Sequence, residues 1–358
     1  IGAGILALPH ATAEGGLLFS PIMIGVVAAW NWLASSQLME CKHATRTVAY
    51  PPHLSSNYSR IAYAGAGNWG VLLADFSIII TLLGVCIAFQ ITFATLLREV
   101  PGKQQDTILG YGVVVYPMSC LRDLNSISGL SLLGMLCLVA GVVAILAHGI
   151  QAYGGEVYSE YTGQSIIEGH TASAVYIPLW PQTLQGTGAF MGVTIFCFDI
   201  CSLAFPIEDS MRTKADFSKA VIYALSAVWL VYVLLGNIGA VLYVHDGKEG
   251  IRENILSNLP VHSSIALLVR WAMAFVSTGC CLSGFVCIEL IWRCVALLSV
   301  AEASTTLRCT NRLVMVAATT FIAAALPCFG TVISLLGGFT IAILDFILPP
   351  LLHMRILG

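Results

Sequence analysis

A single carboxylate lies in the middle of a long apolar stretch that runs from Gly188 to Arg212. Asp199 has apolar or weakly polar neighbours on both sides, and Pro206 follows further along. A charged side chain at the centre of a bilayer costs several kcal/mol, so it normally faces a polar cavity or a partner. Proline removes a backbone donor from a helix. The stretch therefore indicates an interrupted membrane span, with Asp199 either in a binding site or protonated and hydrogen-bonded to a neighbouring helix.

The start of the chain has a second candidate interruption. Gly2-Ala3-Gly4 is too rich in glycine for a regular helix interior. In such a break, the N–H groups that open the next half-helix are free and suit a carboxylate. The carbonyl groups that end a preceding half-helix suit a cation, and an amino acid zwitterion supplies both charges. The alternative is a packing face, where small residues let two helices touch.

The composition is that of a polytopic membrane protein. Of 358 residues, 58 % are hydrophobic and only 10 % are charged, and the mean hydropathy is +0.86. Soluble domains carry about 25 % charged residues. The net charge of −3 comes without a basic stripe, so nucleic acid is not an expected partner. The twelve cysteines lie mostly in or beside apolar runs without paired CxxC spacing, so we expect no metal site, cofactor or disulfide framework.

Ten apolar runs have roughly the length that a bilayer requires. The fourth and ninth are both short and the third and eighth are both long, so span length repeats with a period of five. The predicted spans are Gly2 to about Gly15, Leu17–Leu38, Val71–Leu97, Thr107–Cys120, Ile127–His148, Gly188–Pro206, Ala220–Val244, Ile265–Val300, Leu313–Leu326 and Thr331–Leu352.

The same period recurs in the residues of spans one and six. Gly4-Ile-Leu-Ala-Leu-Pro9 is echoed by Cys201-Ser-Leu-Ala-Phe-Pro206. A motif that recurs after an odd number of spans points the opposite way across the membrane, and paired interruptions in two inverted halves are typical of secondary transporters. We therefore predict an all-α membrane protein with a single domain over residues 1–358, one repeat at about 1–150 and the other at about 185–352.

The distribution of Lys and Arg predicts a cytoplasmic N-terminus. With that orientation, eleven of the sixteen Lys and Arg residues fall on the inner side, and the loop Gln151–Thr187 on the outer side contains none. The single sequon, Asn57-Tyr58-Ser59, then lies on the inner side, and we expect it to carry no glycan. The chain begins at Ile1 and ends shortly after an apolar run, so we expect both ends to be truncated.

These motifs resemble, in order along nearly the whole chain, those of the amino acid/auxin permease family. Ile1-Gly-Ala-Gly-Ile-Leu-Ala-Leu-Pro9 is similar to the family's opening motif, and Phe196 through Met211 resembles its sixth span. Further similarities lie in Gly84-Val-Cys86 with Phe89, in Pro117 to Leu124, and in Ile333 to Pro350. The resemblance implies a LeuT-type 5+5 inverted repeat of the APC superfamily, with spans one and six broken and an eleventh span missing from this chain.

The resemblance also implies secondary active transport of amino acids by alternating access. The proton-coupled branch for small neutral amino acids and vacuolar transport is the most similar, and it predicts proton symport across a vacuolar, lysosomal or plasma membrane. The sodium-coupled branch is the alternative. Three departures leave the substrate and the coupling ion open, because the family usually has tyrosine at His10, glycine at Ile200 and often glutamate at Asp199.

Within this interpretation, backbone N–H groups at the start of span one bind the substrate carboxylate, and carbonyl groups in span six bind the ammonium. Residues from span three help to shape the side-chain pocket. The predicted substrate-binding residues are Gly2, Ala3, Gly4, Ile5, Cys86, Phe89, Phe196, Phe198, Asp199 and Cys201.

Ion coupling is assigned to two residues. Asp199 is predicted to carry the proton, because burial favours a neutral carboxyl group and a bound ammonium favours the ionised one. Thr278, with Ser277 and Ser283, lies where sodium-coupled relatives hold an ion, although such hydroxyls also bond back to their own helix. Asp345 in span ten is expected to face a cytoplasmic vestibule, with a place in the proton path as the alternative.

Other functional classes fit the sequence less well. A channel would need a continuous polar stripe or rings of charge from several spans, and the sequence contains neither. An intramembrane enzyme would need a nucleophile beside a base, and Ser, His and Asp are not clustered. A receptor that senses amino acids and transports little stays open as an alternative.

Overall fold

The computed structural model describes residues 3–51, 54, 56–96, 104–120, 136, 139–154, 177–202, 204–244, 251–258, 271–272, 274–279, 281–282, 284, 305–326 and 328–358. Within these residues the chain forms helices and no strands. The helices in chain order are α1 (Leu8–Gly15), α2 (Phe19–Ala44), α3 (Asn57–Leu96), α4 (Gln104–Ser119), α5 (Val139–Gly154), α6 (Leu184–Cys197), α7 (Ala204–Ser210), α8 (Phe217–Tyr243), α9 (Thr305–Ala325), α10 (Phe329–Leu336) and α11 (Leu348–Leu357). A π-helix at Gly337–Ile347 joins α10 to α11, and 3₁₀ helices lie at Ala3–Ala7, Lys214–Asp216 and Ile255–Asn258.

Four helical segments in the described part of the chain are long and apolar enough to cross a membrane: Phe19–Ala44, Asn57–Thr95, Lys214–Tyr243 and Phe329–Leu357. Large apolar side chains on these helices face outward, where lipid would meet them. The prediction of a mostly helical membrane protein is confirmed. The count of ten spans stays a prediction, because much of predicted spans five and eight lies outside the described residues.

Helix α3 bends sharply at Gly67, whose φ of 61° and ψ of −152° are not helical. The hydroxyl of Ser59 donates to Asp75 at 2.5 Å, although the two are 16 residues apart. A straight helix would separate them by about 24 Å. The ten residues before Gly67 therefore fold back along the rest of α3.

The first turn of this folded-back helix is attached to the π-helix. The buried hydroxyl of Tyr58 donates to the carbonyl of Leu344 at 2.7 Å. Lys42, Asn57 and Asp209 lie close by, on the side of the membrane that the Lys and Arg distribution predicts to be cytoplasmic. We call this the inner side and the opposite one the outer side.

Helix α6 packs against the α10–π segment through two glycines. A Cβ on Gly337 would lie 1.8 Å from the carbonyl oxygen of Gly192, and a Cβ on Gly192 would lie 2.3 Å from that of Ser334. On the other face of the segment, a Cβ on Gly84 of α3 would lie 2.3 Å from Leu336. Small residues let helix backbones approach closely in a membrane. Span ten is therefore held tightly between α3 and α6.

Helix α8 runs antiparallel to α2. The indole of Trp229 donates to the carbonyl of Pro21 at 3.1 Å, whereas the indole of Trp32 donates to the hydroxyl of Ser218 at 3.1 Å. Later positions in α2 thus contact earlier positions in α8. Helix α8 also packs on α1 and thereby supports the start of span one.

The contact between α6 and span ten predicts the effect of one added methyl group. Gly337→Ala should lower the free energy of unfolding by about 1–3 kcal/mol, because the new Cβ must displace backbone rather than a flexible side chain. The measurement is the temperature at which the detergent-solubilised protein loses its monodisperse size-exclusion peak.

Gly338→Ala is the matched control, because a Cβ at that position meets nothing within 4 Å. Equal melting temperatures for the two variants would show that the glycine contact does not determine the packing of span ten.

Candidate functional site

Span six is interrupted where the sequence predicted. Helix α6 ends at Cys197 and α7 begins at Ala204, and residues 198–202 are not helical. The hydroxyl of Tyr232 in α8 donates to the carbonyl of Cys197 at 3.0 Å, which satisfies one of the acceptors that a helix end leaves open. The ring of Phe198 packs edge-on against Tyr232, with centroids 5.1 Å apart. The interruption is therefore supported by α8.

Span one also begins without α-helical geometry. Ala3–Ala7 form a 3₁₀ helix that continues into α1 at Leu8. Ile5 and Leu6 are buried, so this segment is enclosed by protein. Gly2 lies outside the described residues, and its role stays a prediction.

The 3₁₀ start of span one meets the end of α6 at Gly4. A Cβ at this position would lie 2.7 Å from the sulfur of Cys197 and 2.8 Å from the ring of Phe196. Only a hydrogen atom fits there, so the backbone of span one lies directly against the last turn of α6. This contact brings the peptide groups of residues 3–7 beside the carbonyl end of α6, and the predicted meeting of two helix gaps stays a prediction.

Asp199 lies within the interruption and is partly buried. The hydroxyl of Ser202 donates to its carboxylate at 2.8 Å, and the N–H of Ser202 lies close to the same group. Among the described residues, Asp199 forms no ion pair, so its carboxyl group is available to a cation or a proton. Cys201, two residues later, is fully buried.

Span three forms another wall of this region. Helix α3 contacts the 3₁₀ helix at the start of span one, and Cys86 and Phe89 are both buried. The thiol of Cys86 donates to the carbonyl of Cys281 at 3.7 Å, and the thiol of Cys281 donates to the carbonyl of Cys86 at 3.9 Å. Cys86 therefore joins span three to span eight, and its part in a substrate pocket stays a prediction.

The geometry of Thr278 agrees with the alternative given above for its hydroxyl group. The hydroxyl of Tyr111 donates to Thr278 at 3.0 Å, and Thr278 donates to the carbonyl of Ala274 one turn earlier at 2.8 Å. The hydroxyl thus bonds back to its own helix. Ser283 lies outside the described residues, and the ion role of this region stays a prediction.

Asp345 is placed differently from the sequence expectation. It is 0 % exposed, so the expected position in an open vestibule is wrong. It lies in the π-helix, a geometry that is frequently found at functional sites. Neither carboxyl oxygen has a hydrogen-bond partner, although the thiol of Cys201 and the N–H of Ile200 approach the group without reaching normal hydrogen-bond geometry. Asp345 thus faces the interruption of span six.

A network of charged groups follows the interruption on the inner side. Lys42 of α2 forms an ion pair with Glu208, which is 2 % exposed, and a second one with Asp209 at 2.9 Å. Asp209 also accepts hydrogen bonds from Lys214 at 3.0 Å and from Asn57 at 3.2 Å. The network ties α7 to α2 and α3. No sequence pattern predicts this network, because Lys42 and Glu208 are 166 residues apart.

A short segment that includes the 3₁₀ helix Ile255–Asn258 covers the region around Gly4 on its outer side. Ile255 and Leu256 are buried, and their 3₁₀ helix contacts both α3 and the 3₁₀ helix of span one. The carboxylate of Glu253 accepts a hydrogen bond from the N–H of Gly330 at 2.9 Å, in the first turn of α10. The region around Gly4 therefore has a covering segment on its outer side and an ion-pair network on its inner side.

The whole chain is similar to proteins that are already known. A family model described as "Transmembrane amino acid transporter protein" matches residues 1–358. The chain is 22 % identical over 372 residues to amino acid transporter ANT1 of Arabidopsis thaliana, which covers 100 % of this chain and 82 % of the relative. It is 24 % identical over 373 residues to the proton-coupled amino acid transporter-like protein pathetic of Drosophila melanogaster, with 99 % and 74 % covered.

One further relative is matched over only part of its length, and one solved structure is similar in fold alone. Vacuolar amino acid transporter 4 of Saccharomyces cerevisiae is 23 % identical over 282 residues, which cover 75 % of this chain and 36 % of the relative. Among solved structures, a Na+-coupled sialic acid symporter in a substrate-bound, outward-open state matches with a TM-score of 0.51 and 14 % identity, over 97 % of this chain and 79 % of that one. The latter likeness is one of fold alone.

The inner network predicts a large loss of stability when the lysine that neutralises the buried Glu208 is removed. Lys42→Met leaves Glu208 buried without a counter-charge, which should cost about 3–5 kcal/mol. The melting temperature in detergent measures the effect, and replacing both Lys42 and Glu208 by Met should recover part of the loss.

Lys219→Met is the control, because this exposed lysine pairs only loosely with Asp216 at 3.7 Å. We expect a change within about 0.5 kcal/mol for it. A Lys42→Met protein as stable as the Lys219→Met protein would contradict a structural role for the buried pair.

Proposed function

Since the chain belongs to the transmembrane amino acid transporter family, we propose that it is a secondary active transporter that couples proton movement to the movement of small neutral amino acids. The observation that supports this most strongly is the contact of the 3₁₀ start of span one with the end of α6, at Gly4, Phe196 and Cys197. Interrupted helices that meet at the bilayer midplane are the usual site of substrate and ion binding in secondary transporters.

In this proposal the backbone recognises what all amino acids share. The N–H groups of residues 2–5 bind the substrate carboxylate, and carbonyl groups around Phe196, Phe198 and Asp199 bind the ammonium. Helix ends favour such partners because their unsatisfied peptide groups carry partial charge. Phe196, with Cys86 and Phe89 of α3, leaves an apolar pocket suited to a small side chain.

Asp199 couples the proton to the substrate. Its partners among the described residues are neutral groups of Ser202, so the charge on its carboxylate is not compensated by protein. A bound ammonium beside it stabilises the ionised form, whereas the empty site stabilises the neutral form. Proton and substrate affinities therefore depend on each other, and the dependence is reciprocal.

The likeness in fold to a symporter supports a LeuT-type repeat and alternating access. Spans one, two, six and seven would rock against the rest, with the Lys42–Glu208 pair broken when the inner side opens. The outer segment at Ile255–Asn258 would leave the 3₁₀ helix of span one when the outer side opens. A vacuolar, lysosomal or plasma membrane is the proposed location.

Transport in proteoliposomes tests the proposal. The full-length protein should exchange labelled small neutral amino acids in counterflow and should accumulate them against a gradient when an inward proton gradient is imposed. Asp199→Asn should lower this accumulation by about tenfold or more, an ordinary size for coupling between two ligands. Asp75→Asn is a matched control, since Asp75 is a buried aspartate that can keep its hydrogen bond to Ser59 as an amide.

Three outcomes would redirect the assignment. Undiminished proton-driven accumulation by Asp199→Asn contradicts the role of Asp199. Accumulation driven by a sodium gradient alone identifies a sodium-coupled transporter. Binding of amino acid without counterflow identifies a receptor instead of a carrier.

The close approach at Gly4 predicts an effect on substrate affinity. Gly4→Ala should raise the KM roughly tenfold, because a clash of about 1–3 kcal/mol changes affinity tenfold for every 1.4 kcal/mol. Initial rates of counterflow at varied substrate concentration measure it. Gly188→Ala in α6 is the control, because its Cβ meets nothing within 4 Å, and an equal KM for both variants would remove Gly4 from the site.

A further inference from the structure

We propose that Asp345 is the second member of a two-carboxyl site, and that it holds the coupled proton while Asp199 faces the ammonium of the bound substrate. The inference rests on the proposed function, because such a site has a use only in a carrier that moves protons with amino acids. It assigns to the π-helix of span ten a part in coupling.

Asp345 differs from the other deeply buried acids. Asp75, Glu208 and Asp345 are the acids of the described chain that are more than nine-tenths buried. Asp75 accepts a hydrogen bond from Ser59, and Glu208 pairs with Lys42. Asp345 alone of the three has no hydrogen-bond partner for either oxygen. An ionisable side chain inside a membrane protein is by default a functional candidate, and one that the protein leaves unpaired requires a counter-charge or a proton.

The two carboxyl groups share one environment. Asp345 lies within electrostatic range of Asp199, and the thiol of Cys201 and the N–H of Ile200 approach it from the same interruption. Two carboxylates in a poorly solvated site cannot both be ionised at low cost, so such a pair tends to share one proton. The geometry therefore favours a state with one neutral and one charged acid.

Other titratable groups near the pair do not supply a positive charge. Tyr58 of α3 and Cys201 of the interruption lie within electrostatic range of both acids, and Cys41 of α2 lies within range of Tyr58. All three groups are neutral when protonated. The nearby cation of α2, Lys42, is bound to Glu208 and Asp209.

The charged groups of α11 likewise contact other residues or are exposed. His353 contacts Glu40 at 2.7 Å, and Arg355 is exposed. Within the described residues no cation pairs with Asp199 or Asp345, so a proton is the counter-charge that the site takes.

A second acid removes a conflict that a single acid would create. An ammonium bound beside Asp199 stabilises its ionised form and would expel a proton from it. Symport, however, requires proton and substrate to be bound together. With the proton held on Asp345, Asp199 can stay ionised beside the ammonium, so one proton and the substrate are bound at the same time.

Reconstituted full-length protein tests the role of Asp345. Asp345→Asn should lower proton-driven accumulation by about tenfold or more, as expected when a coupling free energy is lost, and should lower it more than it lowers counterflow. The pH dependence of uptake should flatten in Asp345→Asn, and Asp345→Glu should restore it with a shifted midpoint. Asp75→Asn, at a buried aspartate that hydrogen-bonds to Ser59, should behave as the unsubstituted protein does in all three measurements.

Each contrary result has a distinct meaning. If the unsubstituted protein shows no proton-driven accumulation, the proposed function and the two-carboxyl site both fail. If it does and Asp345→Asn accumulates equally with the same pH profile, only the role of Asp345 is overturned. If Asp345→Asn does not fold, Asp345→Glu decides, because an unchanged pH midpoint overturns the proposal and a shifted one supports it. Sodium-driven uptake that disappears in Asp345→Asn would make this a sodium site and overturn the proton assignment.

Discussion

The whole arrangement depends on one constraint, which is that peptide groups cannot be left without partners at membrane depth. Non-helical backbone there is tolerated only where protein encloses it or where it lines a cavity. The interruption after Cys197 meets this condition, since Tyr232 satisfies a carbonyl group and the backbone at Gly4 lies against the last turn of α6. Enclosing the interruption in protein also brings the candidate functional side chains close to one another.

Close helix packing then determines which residues can reach the interruption. The backbones of α6 and span ten touch at Gly192 and Gly337, with α3 against the other face of span ten at Gly84. This contact brings the π-helix, and with it Asp345, beside residues 200 and 201. A larger residue at the crossing would separate the acid from the interruption, so packing and coupling chemistry depend on the same glycines.

Features that depend on neighbouring residues could be predicted from the sequence, whereas contacts between distant segments could not. The interruption at Asp199 could be predicted because an acid, a proline and an apolar run lie close together in the chain. The burial of Asp345 could not be predicted, because a π-helix bonds residues five apart and shifts the faces that a period of 3.6 would assign. The pair of Lys42 with Glu208 depends on tertiary contact alone.

The segment from α10 through α11 has contacts near both surfaces. Gly330 at one end bonds to Glu253 of the outer covering segment, and the carbonyl of Leu344 accepts a bond from Tyr58 of the folded-back inner helix. These points are about 20 Å apart along a helix axis, which is two-thirds of a hydrocarbon core of about 30 Å. An antibody fragment that immobilised the covering segment would restrain the segment from α10 through α11, and through it the folded-back helix on the inner side.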